Sequence, residues 1–202
     1  MRKIIASSVL LLAATPTLFA HAGHGETGFV AGATHPLMGF DHLLAMVAVG
    51  LMGVRCSLRN DSSRHALWQV PASFMAAMVV GGLLAAGGMP MPLAEWGIAL
   101  SVLVFGVIVA LARAPKTWVA CAVAASFALL HGHAHVAEMS GTSMTIFSVT
   151  GYLSGVLLMT VMLHALGVAA GWWIAKSWQQ SAIRAMGMGV ALASISLFIG
   201  LL

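Results

Sequence analysis

Six long apolar runs divide this sequence, and they restrict what the chain can fold into. They cover roughly residues 29–54, 66–88, 93–112, 117–138, 146–174 and 182–202. A bilayer core about 30 Å thick is crossed by about 20 residues of α-helix, so each run is long enough to span it. Only 7% of the residues are charged and 60% are hydrophobic, which is not the composition of a soluble globular protein. The sequence therefore predicts an all-α membrane protein, with six transmembrane helices in one domain over residues 23–202.

The first 22 residues have the features of a signal peptide. Two basic residues, Arg2 and Lys3, precede an apolar stretch, and the small residues Ala20 and Ala22 follow it. A basic start, a short apolar core and small residues before the cleavage point are typical of secretory signals. We expect cleavage after residue 20 or 22. The alternative is an uncleaved first helix.

Basic residues are confined to alternate connections between the predicted spans. Beyond the signal segment, seven Lys and Arg residues lie in the first, third and fifth connections: Arg55, Arg59, Arg64, Arg113, Lys116, Lys176 and Arg184. Because cytoplasmic loops carry the excess of Lys and Arg, we expect these connections in the cytoplasm and both ends of the mature chain in the periplasm. We thus expect a multi-pass protein of the bacterial inner membrane. These anchors also explain the net charge of +4, so the charge does not indicate nucleic acid as a partner.

Ionisable side chains interrupt two of the predicted spans. An Asp, Lys or Arg near the bilayer centre costs about 3 kcal/mol, so ionisable groups kept in a span usually have a function. The first span contains His35, Asp41 and His42, and the fourth contains His131, His133 and His135, followed by Glu138. With the predicted orientation both clusters, and Glu95 at the start of the third span, lie in the outer half of the membrane. Imidazole and carboxylate ligands on one side predict a site for a divalent metal ion. The alternative is that the His side chains only join neighbouring helices by hydrogen bonds.

The spacing of the His residues limits which of them can reach one ion. His131 and His135 lie one turn apart on one helix face, with Glu138 on the same face, whereas His133 points elsewhere. His35 and His42 share a face but are about 10 Å apart along a regular helix, too far for one ion. Either the helix breaks at Pro36 and Gly39, or the two imidazoles are successive stations.

Three other polar or aromatic side chains receive structural interpretations. His164 is alone in the fifth span beside two glycines, which predicts helix packing. His65 lies in a predicted cytoplasmic connection and is expected to be solvated. Tyr152 fits the aromatic belt at a membrane interface.

Four segments carry a resemblance to a known family: the signal-like start, HAGHG after it, HPLMGFDHLLAMVAVGL in the first span and LLHGHAHVAEM in the fourth. They resemble the HupE/UreJ family of small nickel or cobalt permeases associated with hydrogenases and ureases. The resemblance covers nearly the whole chain. The chain departs from the family pattern at Val136, where a glycine is expected.

The resemblance implies a role in metal handling for particular residues. The matching positions in the first and fourth spans are His35, Asp41, His42, His131, His135 and Glu138, and Glu95 matches an acidic position opening the third span. Phe74 matches a family aromatic residue more loosely.

We therefore expect a permease and not an enzyme, moving Ni²⁺ or Co²⁺ from periplasm to cytoplasm for hydrogenase or urease maturation. The ion is cargo, so no permanently bound cofactor is expected. The expected partners are the divalent ion, the lipid bilayer and cytoplasmic accessory proteins of nickel enzymes. The same ligands also suit Zn²⁺. Two further interpretations remain: a membrane cytochrome with His pairs binding haem b, which a Soret band would reveal, and a membrane metalloenzyme using Glu138.

Overall fold

A computed structural model describes residues 28–59, 64–139, 145–177 and 180–201, and the predicted signal peptide lies outside these ranges. Within them the chain forms seven α-helices and no strand. The helices, in chain order, are α1 (Phe29–Met38), α2 (Phe40–Ser57), α3 (Ala66–Ala86), α4 (Ala94–Ala110), α5 (Thr117–Ala137), α6 (Ile146–Ser177) and α7 (Gln180–Gly200). The predicted all-α class is confirmed.

Five of the described helices are long and apolar enough to cross a membrane by length and composition: α2, α3, α5, α6 and α7. The fourth helix, α4, is equally apolar but has only 17 residues. The chain is thus a multi-pass membrane protein. The predicted first span consists of two helices, because α1 ends at Met38 and α2 begins at Phe40.

The break between α1 and α2 lies at Gly39. This residue has an extended backbone, with φ −82° and ψ 110°, while its N–H still bonds to the carbonyl of His35. Pro36 lies inside α1, three residues before the break, and does not itself end the helix. The sequence left open a broken helix or two separate stations, and the structure has the broken helix.

Helix α2 is the centre of the bundle. Twelve of its eighteen residues are buried, and it packs against α3, α4, α5, α6 and α7. A helix buried on nearly all sides can hold a polar side chain away from lipid, which a lipid-facing helix cannot do. The first residues of α2 are therefore well placed to present His42 to the interior of the protein.

Glycines allow the helices to approach each other closely. At each main crossing an added Cβ would meet the backbone of the neighbouring helix, as in packing through small residues. The crossings are Gly32 and Gly155 between α1 and α6, Gly50 and Gly167 between α2 and α6, Gly81 and Gly132 between α3 and α5, and Gly106 and Gly187 between α4 and α7. Close backbone contacts thus hold the helices that carry the polar clusters against their neighbours.

Three arginines gather around the C-terminal end of α4. The guanidinium of Arg55 donates to the carbonyl of Leu111 at 2.5 Å, Arg59 donates to Ala114 at 2.7 Å, and Arg184 donates to Ala110 at 3.0 Å. The last carbonyls of a helix have no partner within the helix and carry partial negative charge, so Arg55 and Arg184 stabilise α4, whereas Arg59 binds the connection that follows it. Basic residues from the first and fifth connections therefore meet beside the third connection, at one end of the bundle.

Candidate metal site

Three imidazoles meet inside the bundle where α1, α2 and α5 come together. They belong to His35, His42 and His135, and one nitrogen of each lies within 4.8 Å of the other two. Metal–imidazole bonds of about 2.1 Å keep two nitrogens of one site within about 4.2 Å, so small side-chain rotations would let all three bind one ion. His42 and His135 are buried and His35 is partly exposed. The break at Gly39 makes this possible, since it brings the ring centroids of His35 and His42 to 5.6 Å.

Asp41 lies behind His42 and fixes its ring. Its Oδ1 accepts a hydrogen bond from the backbone N–H of His42 at 2.7 Å and lies 2.8 Å from Nδ1 of the same residue. A carboxylate accepts only, so Nδ1 carries the proton and Nε2 presents its lone pair. That Nε2 is buried and has no hydrogen-bond partner in the described structure. A carboxylate bonded to the far nitrogen of an imidazole is the usual support of a metal-binding His. Asp41, predicted as a metal residue, is placed here to support the ligand His42.

His131 lies one turn below His135 on α5, with its ring centroid 5.0 Å from that of His42. Its Nε2 is 3.1 Å from the Ser101 hydroxyl, which donates its proton to the carbonyl of Ile98 at 2.6 Å. The hydroxyl must therefore accept from His131, so Nε2 is protonated and Nδ1 carries a lone pair. This Nδ1 is also buried and unpartnered among the described residues. His131 thus offers a further nitrogen ligand just inside the group of three.

Two glutamates lie at the outer edge of the site. The carboxylate of Glu138 is 3.5 Å from Nε2 of His35, and its side chain is 47% exposed. Glu95 is exposed at the start of α4, near enough to His42 and Glu138 to act on both electrostatically. Together with Asp41 behind His42, three of the five acidic residues in the chain lie at or beside the site, which favours the approach of cations.

The other His residues of the spans have different environments. His133 donates from Nε2 to the carbonyl of Met89 at 2.8 Å, so it joins α5 to the segment before α4 and points away from His135, as the spacing predicts. His164 on α6 is buried, with its ring 5.2 Å from Phe74. The seven predicted site residues therefore comprise a group of three, one deeper imidazole, one supporting carboxylate and two carboxylates at the mouth.

Three further residues lie near the site: from the sequence, Tyr152 was assigned another role, Phe74 was matched only loosely and Ser101 was not singled out. Tyr152 is buried, with its ring centroid 6.0 Å from that of His35, so the predicted interface role is replaced by contact with the site. Phe74 contacts His131 at 5.4 Å between ring centroids. Ser101 sets the tautomer of His131. A serine within an apolar helix gives little sequence signal, because such residues often bond only to their own backbone.

Comparison with known proteins identifies the family of this chain. Residues 9–197 match the family described as HupE / UreJ protein. The chain is 38% identical to Protein HupE of Rhizobium leguminosarum bv. viciae over 197 residues, which is 97% of each chain. No solved structure matches. A match across nearly the whole length includes both polar spans, and the chain therefore belongs to the HupE/UreJ family.

Proposed function

We propose that this protein is a permease of the bacterial inner membrane that carries Ni²⁺, or alternatively Co²⁺, from the periplasm to the cytoplasm. The observation that carries the proposal is the group formed by His35, His42 and His135, which is enclosed by helices of a multi-pass membrane protein. The cargo would serve maturation of a hydrogenase or urease, with cytoplasmic accessory proteins receiving it. Membership of the HupE/UreJ family supports the nickel or cobalt assignment and gives no support for an enzyme.

The ligands fit an ion that binds and leaves. Neutral imidazoles suit Ni²⁺, Co²⁺ and Zn²⁺, and a site without thiolates avoids the very tight binding that would trap the cargo. Carboxylates at the mouth concentrate the cation. Glu138, beside His35, can replace a water molecule as a ligand while the ion loses its hydration shell. Permeation needs binding that is strong enough to dehydrate the ion and weak enough to release it.

The packing of the imidazoles favours transport over haem binding. The ring centroids of His35 and His42 both lie 4.9 Å from that of His135, and that of His131 lies 5.0 Å from that of His42. Two axial ligands of haem must face each other across a flat macrocycle, whereas these rings touch each other directly.

Uptake by cells that express the protein tests the proposal. We expect expression to raise accumulation of radioactive ⁶³Ni²⁺, and unlabelled Co²⁺ to compete more strongly than Zn²⁺. Cells carrying the empty vector provide the background. Accumulation that does not exceed this background, in cells where the protein is present in the membrane, would contradict the proposed function.

The orientation gives a separate prediction. Because the seven basic residues lie in alternate connections, a reporter fused after Leu202 should be periplasmic. Alkaline phosphatase, active only in the periplasm, should be active at this position, and a cytoplasm-only fluorescent reporter should not. A fusion within the connection that contains Arg113 and Lys116 is the matched control and should give the opposite pattern. Activity of the cytoplasmic reporter after Leu202 would show that the helix count or the orientation is wrong.

A further inference from the structure

His164 occupies an unusual position for a residue that only packs. It is 2% exposed, and neither of its ring nitrogens has a hydrogen-bond partner in the described structure. A neutral imidazole always has one N–H donor and one lone pair, so burying both without partners costs free energy. Packing alone would be served better by Leu or Met.

A second unpartnered polar atom lies on the same face of α6. Thr160 precedes His164 by one turn, is fully buried, and its hydroxyl has no partner among the described residues. Other hydroxyls within helices, such as those of Thr150 and Ser154 on α6, donate to a carbonyl three or four residues earlier. Because residues four apart share a helix face, Thr160 and His164 direct an oxygen and two nitrogens to the same region.

A row of aromatic rings joins this region to the three imidazoles. The ring of His42 contacts His131 at 5.0 Å, His131 contacts Phe74 at 5.4 Å, and Phe74 contacts His164 at 5.2 Å between centroids. Tyr152 marks the level of His35, and His164 is twelve residues further along α6, which is about 18 Å. Lys176 lies twelve residues beyond His164, so His164 is midway between the outer site and the basic end of this helix.

The route closes at the level of His164. An added Cβ at Gly50 would meet the carbonyl oxygen of His164, and one at Gly167 would meet that of Val47, so α2 and α6 are in backbone contact here. Further along α2 the buried side chains are apolar until Arg55. His164 is thus the last buried imidazole before the closed part of the bundle.

We propose that His164 and Thr160 form a second, inner binding station for the transported divalent ion, distinct from the outer site at His35, His42 and His135. This inference rests on the proposed permease function and locates a further step of it. The ion passes from the outer site by way of His131 and the edge of Phe74 to His164. It stays there until α2 and α6 separate. Two stations of moderate affinity suit permeation better than one tight site.

Binding stoichiometry tests this proposal apart from transport. The full-length protein in lipid nanodiscs is dialysed against Ni²⁺ alone, and bound nickel is counted per chain. We expect two ions for the wild type and one for His164→Leu, which is similar in volume but has no ligand atom. His164→Cys keeps a ligand atom and should restore the second ion. In cells, His164→Leu should lower uptake at least tenfold.

Thr160→Val keeps the shape of the side chain, removes an unsatisfied hydroxyl and should not disturb folding. It should weaken the second binding event by about fivefold, the effect of one modest polar interaction. Thr160→Val therefore tests the inner station even if His164→Leu fails to reach the membrane.

The outcomes separate the two proposals. Wild-type protein that takes up nickel but binds one ion, lost in His42→Ala, would refute the inner station and leave the permease function intact. The same holds if His164→Leu and Thr160→Val both bind two ions with wild-type affinity and transport normally. Wild-type protein that neither binds nor transports nickel would refute both.

Discussion

Replacing His42 by alanine is expected to lower Ni²⁺ uptake by about a hundredfold or more while the protein still inserts into the membrane. His42 is a member of the group of three, and its unpartnered Nε2 faces no other acceptor or donor in the described structure. Removing a ligand should exceed the 10-fold to 100-fold loss that follows removal of a group that only supports one. Removing a buried polar group does not hinder insertion. Uptake of ⁶³Ni²⁺, normalised to the amount of protein in the membrane, measures the effect.

The neighbouring carboxylate provides a graded comparison. Asp41→Asn keeps the size of the side chain but weakens the bond that orients His42, so we expect affinity for Ni²⁺ to fall about 10-fold to 100-fold without complete loss. His65→Ala is the control, because His65 is exposed before α3. Equal uptake by wild type and His42→Ala would exclude His42 as a ligand. Complete loss in Asp41→Asn, with His42→Ala retaining activity, would make the carboxylate the direct ligand.

The relation between Asp41 and His42 was not predictable from helical angles alone. Neighbouring residues on a regular helix point about 100° apart, which places the carboxylate away from the imidazole. Asp41 is, however, in the first turn of α2, where backbone N–H groups have no helical partners. One oxygen of its side chain, Oδ1, accepts from the backbone N–H of His42 and is also in hydrogen-bond contact with Nδ1 of the His42 ring. The sequence identified both residues but not which of them supports the other.

The meeting of His35 and His42 depended on a choice that the sequence left open. Pro36 and Gly39 indicated that the helix could break, but glycine is also common in unbroken membrane helices. The break is stabilised by α1 packing on α6, where Gly32 and Gly155 bring the two backbones together. This contact joins residues more than a hundred positions apart, and local pattern carries no information about it. Tyr152 was misassigned for the same reason, since α1 covers it.

The apolar runs, by contrast, predicted the helices well. Bilayer thickness and the need to satisfy backbone hydrogen bonds leave an apolar run of that length few structures other than a helix. The group of seven candidate residues was also largely brought together. For His164 the sequence predicted only helix packing, and the role proposed for it above rests on contacts that only the fold supplies. A single histidine on an apolar helix has no partner in its own sequence neighbourhood, and Phe74 contacts it from another helix.

Substituting alanine for Gly132 is expected to cost about 3 kcal/mol of stability, the upper part of the usual range for overpacking. An added Cβ would meet the backbone carbonyl of Met78 on α3, and neither backbone can rotate out of the way. The two helices would have to move apart by about 1.5 Å or more to restore ordinary van der Waals contact. Thermal unfolding of the purified protein in detergent measures the loss.

The same substitution should impair metal binding, because Gly132 lies between His131 and His135 on α5. Binding groups must be held to about 0.5 Å, so a shift of α5 relative to α2 separates His135 from His42. Gly189→Ala is the matched control, since an added Cβ on α7 meets nothing within 4 Å. There, alanine should be neutral or stabilise the helix by about 0.5–1 kcal/mol. If Gly132→Ala unfolds at the temperature of Gly189→Ala and binds Ni²⁺ normally, the close contact between α3 and α5 does not position the site.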